Sequence, residues 1–593
     1  MSEPENAAAE IEEERLYTPK PGERQLTPRA IIFGCLIGGL VSAMNISFGL
    51  KIGWTVGGSL MAAILGYAAF SIFSSVAPSV LETNIAQTTG SAAGTMASAG
   101  GLVAPIPAML LLGYEISTVG MLIWVSSVAF LGVFFAVPLR KQYVVIEKLR
   151  FPTGTATANT IVSMFADGVG AIAKAKVLVW IAGAAAVYSL SSYFIPQMEN
   201  VPTKELGGVF AVAAAWGFKL YLGPMLFGAG FLMGTRVAVS LLAGAIVAWA
   251  MLAPLSAHMG WVDGDKIMSY TVGPRGWILW PGVAIMVGDA LTSLALSWKT
   301  IARTFSFKKD ENEVVDPEAI PNSWWIGGLG AGTVLVTTTA FLVFDIPIYL
   351  SLIAVAMSSI LAAIAVRSTG ETDINPVGGV GKVTQLAFGG ISPGNMSTNL
   401  MAAGIVGAGA SQAGDMMQDL KTGHMLGASP RKQLIAQLWG IPAGCVFAVL
   451  IFQLFRSQYE IGGDEYPAPA AMAWKAVAEL MSQGFSALPT HAGWAMAGGL
   501  VFGISIPVLK KFVPKLAPYL PSGLAFGIAF IVPAFYSVTM FLGLLVYLIW
   551  KKQAPKKAEM YVFAVASGLI AGEGLMGIVK GVFEFLGVPK LFP

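Results

Sequence analysis

Charge is what this chain of 593 residues has least of. Lys, Arg, Asp and Glu together make up 12% of it, against ~25% in soluble domains, so an ordinary soluble globular fold is excluded. The net charge of +3 is too small to imply a nucleic-acid partner. There are two cysteines, Cys35 and Cys445, far apart inside apolar runs. Neither a disulfide nor a thiolate metal site follows from them, and packing is the reading such positions favour. Three histidines with no His-Glu-x-x-His spacing leave a zinc enzyme unsupported, and no metal site is expected. A cleavable leader is not expected. Residues 1–28 are acidic, polar and interrupted by prolines, without the apolar core a signal peptide needs, so the first span is expected to insert uncleaved behind a disordered cytoplasmic tail.

What the chain does have is apolar length. Hydrophobic residues reach 55% and the mean hydropathy is +0.70. Many stretches exceed the ~20 residues that a helix needs to cross a bilayer, whereas a β-barrel would show short alternating segments. The expectation is an all-α polytopic membrane protein of about sixteen spans. A first set of eight falls between 30 and 298, near 30–50, 55–78, 103–118, 119–138, 178–194, 206–222, 235–256 and 280–298. The polar segment 299–323, with its acidic run Asp310 to Glu313, reads as a cytoplasmic linker. A second set, including 396–412, 432–454, 522–536 and 560–579, occupies 324–593, and 468–484 fits a span or an interfacial helix. The organisation is therefore a tail (1–28), two transmembrane halves (29–298 and 324–593) and the linker between them. Basic groups at Arg24 and Arg29, at Arg140, Lys141, Lys148 and Arg150, and at Lys299 to Lys309 are separated by even numbers of spans. All three then lie on one side, which the positive-inside rule makes cytoplasmic, the N-terminus included.

An internal repeat supports the division. ETNIAQTTGSAAGT from Glu82 can be laid on ETDINPVGGVGKVT from Glu371, an offset of 371 − 82 = 289, and GDAL at Gly288 on GEGL at Gly572, an offset of 573 − 289 = 284. The alternative is chance likeness between small-residue-rich segments. Tandem duplication is common among transporters and would make the two halves parallel, with a substrate path between them and re-entrant or broken helices along it.

Ionisable residues inside apolar segments are the candidates for chemistry, because each is costly there. Asp289 lies between Trp280 and Trp298, and Glu573 occupies the matching place in SGLIAGEGLMG; with Asp415 they are the proton-coupling candidates. The competing reading is a carboxylate that caps a broken helix. Glu82 and Glu371 each open a segment rich in small residues, where Gln87, Thr88, Asn375 and Gln385 supply neutral donors and acceptors for a cavity; close helix packing is the alternative for the glycines. Gln412, Asp415 and Asp419 fall at i, i+3 and i+7, one helical face. His424 follows at the cytoplasmic end and can change charge near neutral pH, although a solvated interfacial histidine is the commoner case. Two lookalikes fail. GGVGKV around Lys382 has Pro376 where a phosphate loop needs its first glycine and Val383 where it needs Ser or Thr. Asp289 lacks the Gly-x-Gly-Asp context of an intramembrane aspartyl protease, because Met286 stands in it.

Taken together, TPRAIIFGCLIGG, NISFGLKIGW, ETNIAQTTGSA, FPTGTATANTI, DMMQDLKTGHMLGASPR, EYPAPAAM, QGFSALPTHAG and ASGLIAGEGL resemble the oligopeptide transporter superfamily over nearly the whole chain. The DLKTGH, SPR, GFSALP and GLIAGEGL blocks are similar to its yellow stripe-like branch, whose plant members carry metal chelates of nicotianamine or mugineic acid. With its short loops the chain looks like a prokaryotic form. The NPGPFNxKEH and KIPPR signatures of the peptide-carrying fungal and plant branch are missing, so peptide specificity does not carry over from them. The resemblance implies a secondary transporter driven by protons, with no cofactor beyond the proton gradient, and raises the standing of His424 and His491 as gate or path residues beside Asp419. The expected substrate groups are Gln87, Thr88, Asn375, Thr384, Gln385 and Asn399 as amides and hydroxyls, with Glu82, Glu371 and Asp373 for an amino terminus or a metal-bearing ligand. The function expected is a symporter importing small oligopeptides across the cell membrane, with metal-chelate uptake as the alternative. A channel or an intramembrane hydrolase is the alternative of a different class. The partners are the peptide or peptide-like chelate, protons and the lipid bilayer, and homo-oligomerisation is compatible with this.

Overall fold

The computed structural model describes residues 15–591 except 167, 203–204, 206, 300–301 and 303–317. Most of the 299–323 linker, and residues 1–14 of the expected tail, lie outside the described residues. The named elements among the described residues are all helices. Twelve of them build the site and are numbered in chain order: α1 Pro28–Ile52, α2 Gly58–Phe73, α3 Val80–Gly94, α4 Pro152–Ala166, α5 Pro274–Leu296, α6 Ile348–Thr372, α7 Val377–Ile391, α8 Met396–Leu426, α9 Pro430–Gln458, α10 Pro469–Gln483, α11 Ala492–Phe512 and α12 Pro555–Phe585.

Local chemistry sets their ends. The Thr27 hydroxyl accepts from Ala30 N before Pro28 opens α1, and Gly53 closes it in the left-handed region. Ser79, Asn395 and Ser429 cap α3, α8 and α9 in the same way. Each cap satisfies an N–H that a helix start leaves without a partner, and proline at the first position loses nothing there.

Among the described residues eleven helices are long and apolar enough to cross a membrane, and the sixteen spans expected are not all matched by such helices. The difference lies where apolar composition is interrupted by glycine and proline. Segment 103–118 forms only the short helix Pro105–Leu111 between Gly101 and Gly113, both at positive φ. Segment 206–222 forms the eight-residue helix Gly208–Ala215, which ends ahead of Gly217 at φ +85°. Segment 522–536 is a six-residue helix, Gly523–Ile528, followed by turns up to Pro533. Hydropathy alone registers such stretches as spans, but a broken backbone is tolerated at that depth when surrounding protein satisfies it. The 468–484 stretch is the fifteen-residue α10.

Helix α8 is the axis of the bundle. All of its 31 residues are buried except Met396, Asp415 and His424. It is rich in Gly and Ala rather than Leu and Ile, as suits a helix that meets protein on every side. Close approach recurs in α9 against α3, where a Cβ at Gly440 or Gly444 would run into the backbone carbonyls of Thr89 and Ala93. The two repeat blocks differ in where their helices break: Glu82 is in the first turn of α3, which runs on unbroken, whereas Glu371 is in the last turn of α6 and residues 373–376 separate it from α7.

Contacts sort the loops into two faces. On one, Leu16 N donates to Met425 O at the end of α8, Arg24 donates to Ala77 O, and Arg431 donates to Ala319 O. Residues 15–27, read from the sequence as part of the tail, thus lie against the end of α8 at Leu16 to Pro19 and against the connection from α2 to α3 at Glu23 and Arg24. On the opposite face are Lys51 at the end of α1, Arg275 at the start of α5 paired with Asp464, and His491 just before α11.

Candidate functional site

A cavity of about 420 Å³ opens inside the bundle, within the ~300–1,000 Å³ typical of small-molecule sites. Around it meet the loop Gly53 to Gly57 between α1 and α2, the segment 95–104 that follows α3, Asn375 between α6 and α7, helices α5, α7, α8 and α10, and the short helix Gly523–Ile528. The loop is irregular backbone at depth, and Asn45 holds it. Its Nδ2 donates to Val56 O and Gly94 O at 3.0 Å each, and its Oδ1 accepts from Val56 N at 3.0 Å. Trp54 and Thr55 are thereby kept in the cavity wall.

Of the residues expected at a site, Asp415 and Asn375 line this cavity. Asp415 makes no hydrogen bond or ion pair among the described residues. Asn375 Nδ2 donates to Ala410 O at 2.8 Å, while its buried Oδ1 has no partner. The sequence reading missed the third polar group. Lys382 on α7 lines the same cavity, is only 4% exposed and makes no ion pair among the described residues. Its Nζ donates to Gln385 Oε1 at 3.0 Å and lies 5.0 Å from the centre of the Trp474 ring. Gln385 is itself fixed, since Nε2 donates to Trp474 O at 3.0 Å and to Asn399 Oδ1 at 3.2 Å, and Asn399 Nδ2 donates back to Gln385 O at 2.6 Å. Gln385 and Asn399 thus stand behind Lys382. Thr384 gives its hydroxyl to Val380 O at 2.9 Å. The available signal for Lys382 was an ionisable residue in an apolar segment, obscured by its likeness to a phosphate loop.

One helical turn from Asp415, Asp419 is fully buried in a polar network. Its Oδ1 accepts from Gln87 Nε2 at 2.6 Å and Ser59 Oγ at 3.1 Å, and its Oδ2 from Gln437 Nε2 at 2.6 Å. Gln412 Nε2 donates to Gln437 Oε1 at 3.2 Å, and Thr95 Oγ1 donates to Gln412 Oε1 at 3.4 Å. Because Thr95 also lines the cavity, the network reaches its wall. Gln433 Nε2 donates to Asp419 O at 2.7 Å and to Thr88 Oγ1 at 3.4 Å. Sequence spacing placed Gln412, Asp415 and Asp419 on one face of a helix. Ser59, Gln433 and Gln437 come from α2 and α9 and left no local signal.

The remaining expected residues stand elsewhere. Glu82 is held by Arg29, with Nε at 2.6 Å and Nη2 at 2.5 Å, and by the Thr27 hydroxyl at 2.5 Å. Glu371 pairs with Arg367 at 3.0 Å. Asp373 accepts from Thr153 N at 3.0 Å and from Gln418 Nε2 at 2.7 Å, so it caps the start of α4. None of these three lines the cavity. Asp289 on α5 packs against Gly523, the neighbour of the cavity-lining Leu524. Glu573 on α12 accepts from Lys51 Nζ at 2.7 Å and from Met225 N at 2.7 Å. Lys51 in turn lines a second cavity of about 250 Å³ with Glu199, Tyr221, Tyr459, Glu465, Tyr536 and Lys580. His424 is in the last turn of α8, and His491 lies against Trp261 with ring centroids 5.1 Å apart. The two histidines are on opposite faces of the bundle.

Residues 25–583 match a family model described as OPT oligopeptide transporter protein. The chain is 28% identical to the "Putative oligopeptide transporter YGL114W" of Saccharomyces cerevisiae, over 96% of this chain and 97% of that protein. It is 28% identical to the metal-nicotianamine transporter YSL2 of Arabidopsis thaliana, over 94% of this chain and 93% of that protein. It is 31% identical to the probable metal-nicotianamine transporter YSL9 of Oryza sativa subsp. japonica, over 76% and 70%.

Proposed function

Because the chain belongs to the OPT oligopeptide transporter family, whose members are transporters rather than enzymes, we propose that it is a proton-coupled symporter. It imports small oligopeptides into the cytoplasm through the cavity that Asp415 lines. The observation that carries this reading is a carboxylate without a partner, open to a cavity of substrate size and one turn from the buried Asp419 network. Such a group can take up a proton or a ligand's ammonium without breaking a structural bond. Asp289, beside the cavity wall, and Glu573, paired with Lys51, are the further proton-coupling candidates. The basic groups on the tail face orient that face to the cytoplasm.

Uptake of a metal chelate is a second reading, favoured by the similarity to metal-nicotianamine transporters of plants. A chelate of an amino-carboxylate ligand presents many of the same groups as a peptide, so one cavity chemistry serves both. The test is uptake into liposomes containing the purified protein. Labelled tri- to pentapeptides are supplied with and without an inward proton gradient, beside iron–nicotianamine. Gradient-dependent peptide uptake is expected. Uptake of the chelate alone moves the protein to the second reading, and gradient-independent flux of either makes it a channel.

A further inference from the structure

The central cavity contains one cation, Lys382, that the transport reading does not use. Its side chain is almost wholly buried, yet among the described residues no carboxylate pairs with it. An ammonium has three N–H donors, and one is spent on Gln385 Oε1. Gln385 is locked from behind by Asn399 and by the Trp474 carbonyl. The ammonium is thus held in place by a fixed amide and by the Trp474 ring below it. An ionised group inside a membrane bundle is unfavourable unless it is used or paired. The opposite charge that lines the same cavity, Asp415, does not pair with it. Both line the same cavity.

We infer that Lys382 is the specificity-determining residue that reads a carboxylate of the transported solute, so that the cavity takes zwitterions carrying a free carboxylate. A neutral amide in the carboxylate's place offers the ammonium a carbonyl acceptor but no opposite charge, and the hydrogen bond is no longer between two ions. A bystander lysine, satisfied by Gln385 and Trp474 alone, would make no such distinction. This inference rests on the transport reading above and adds the chemical class of its substrate.

The experiment compares two forms of one labelled tripeptide, with a free C-terminal carboxylate and with a C-terminal amide, in the same proteoliposomes. The wild-type protein is expected to take up the free acid at least ~10-fold better, as loss of one charge-assisted hydrogen bond requires. In Lys382→Gln the ratio should collapse towards one through loss of uptake of the acid, and Lys382→Arg should restore part of it. Equal uptake of both forms by the wild-type protein overturns the inference and leaves transport standing, with no variant needed. A preference that persists undiminished in Lys382→Gln assigns the discrimination to another residue and overturns it too. If neither form is taken up but iron–nicotianamine is, the same substitution must reduce chelate uptake, or the inference falls. No uptake of any of the three solutes brings down the transport reading itself.

Discussion

The two cavities differ in lining and in how they treat charge: the smaller is lined mostly by charged residues and tyrosines, the central one mostly by small and apolar residues with Lys382 and Asp415 among them. Around the smaller one, Lys51 pairs with Glu573 at 2.7 Å, Lys580 with Glu199 at 3.2 Å, Lys590 with Glu584 at 2.8 Å and Arg275 with Asp464 at 2.7 Å. In the central one, Lys382 and Asp415 line one space and neither has an ion-pair partner among the described residues. Paired charges satisfy one another and hold helices together, while unpaired charges around a void are satisfied by what enters. The first arrangement serves the closed structure and the second serves a ligand.

The sharpest way to break this comparison is to unpair the first cavity. Glu573→Gln strands a buried ammonium and should destabilise the protein by ~3–5 kcal/mol, whereas Lys51→Met with Glu573→Met should recover most of that. Thermal unfolding in detergent measures both, and a single variant as stable as the parent would refute a structural role for the pair. Next is Asp419→Leu, which leaves Gln87, Ser59 and Gln437 without their acceptor. It should cost at least ~2 kcal/mol, at ~1–3 kcal/mol for each buried group left unmet, and should abolish uptake. Asp373→Ala removes the cap on α4 and should lower stability by ~1 kcal/mol while leaving the acid-to-amide preference intact; a shift in that preference would place Asp373 at the substrate. The smallest stability effect belongs to Asp415→Asn. Because no bond depends on its carboxylate, the change should stay within ~0.5 kcal/mol, while the dependence of uptake on the proton gradient disappears. Destabilisation comparable to that of Glu573→Gln would erase the distinction between the two cavities.

The legibility of the site followed the range of the interactions. Gln412, Asp415 and Asp419 were found because helical spacing is local. Glu82, Glu371 and Asp373 share the same signal, an acid near a polar, small-residue segment, and they stand in different surroundings: an arginine on α1, an arginine one turn back on α6, and the N-terminus of α4. Their spacing carried no information about those partners. Lys382 was passed over because its surroundings were judged against a phosphate-loop pattern rather than by the burial of its charge. The sixteen-span count is not matched by long helices where Gly101, Gly217 and Pro533 interrupt apolar runs, since hydropathy does not register backbone breaks.

By itself the sequence determined the all-helical membrane class, because too few charges and too many long apolar runs leave no other way to satisfy the backbone in lipid. It also determined the family, through ordered motifs spread over nearly the whole chain. Only the tertiary structure decided which charges have partners. Pairing depends on distances between residues hundreds of positions apart, as between Lys51 and Glu573. Two lysines in apolar helices, Lys51 and Lys382, therefore read alike in the chain, and packing gives one a carboxylate and the other a cavity.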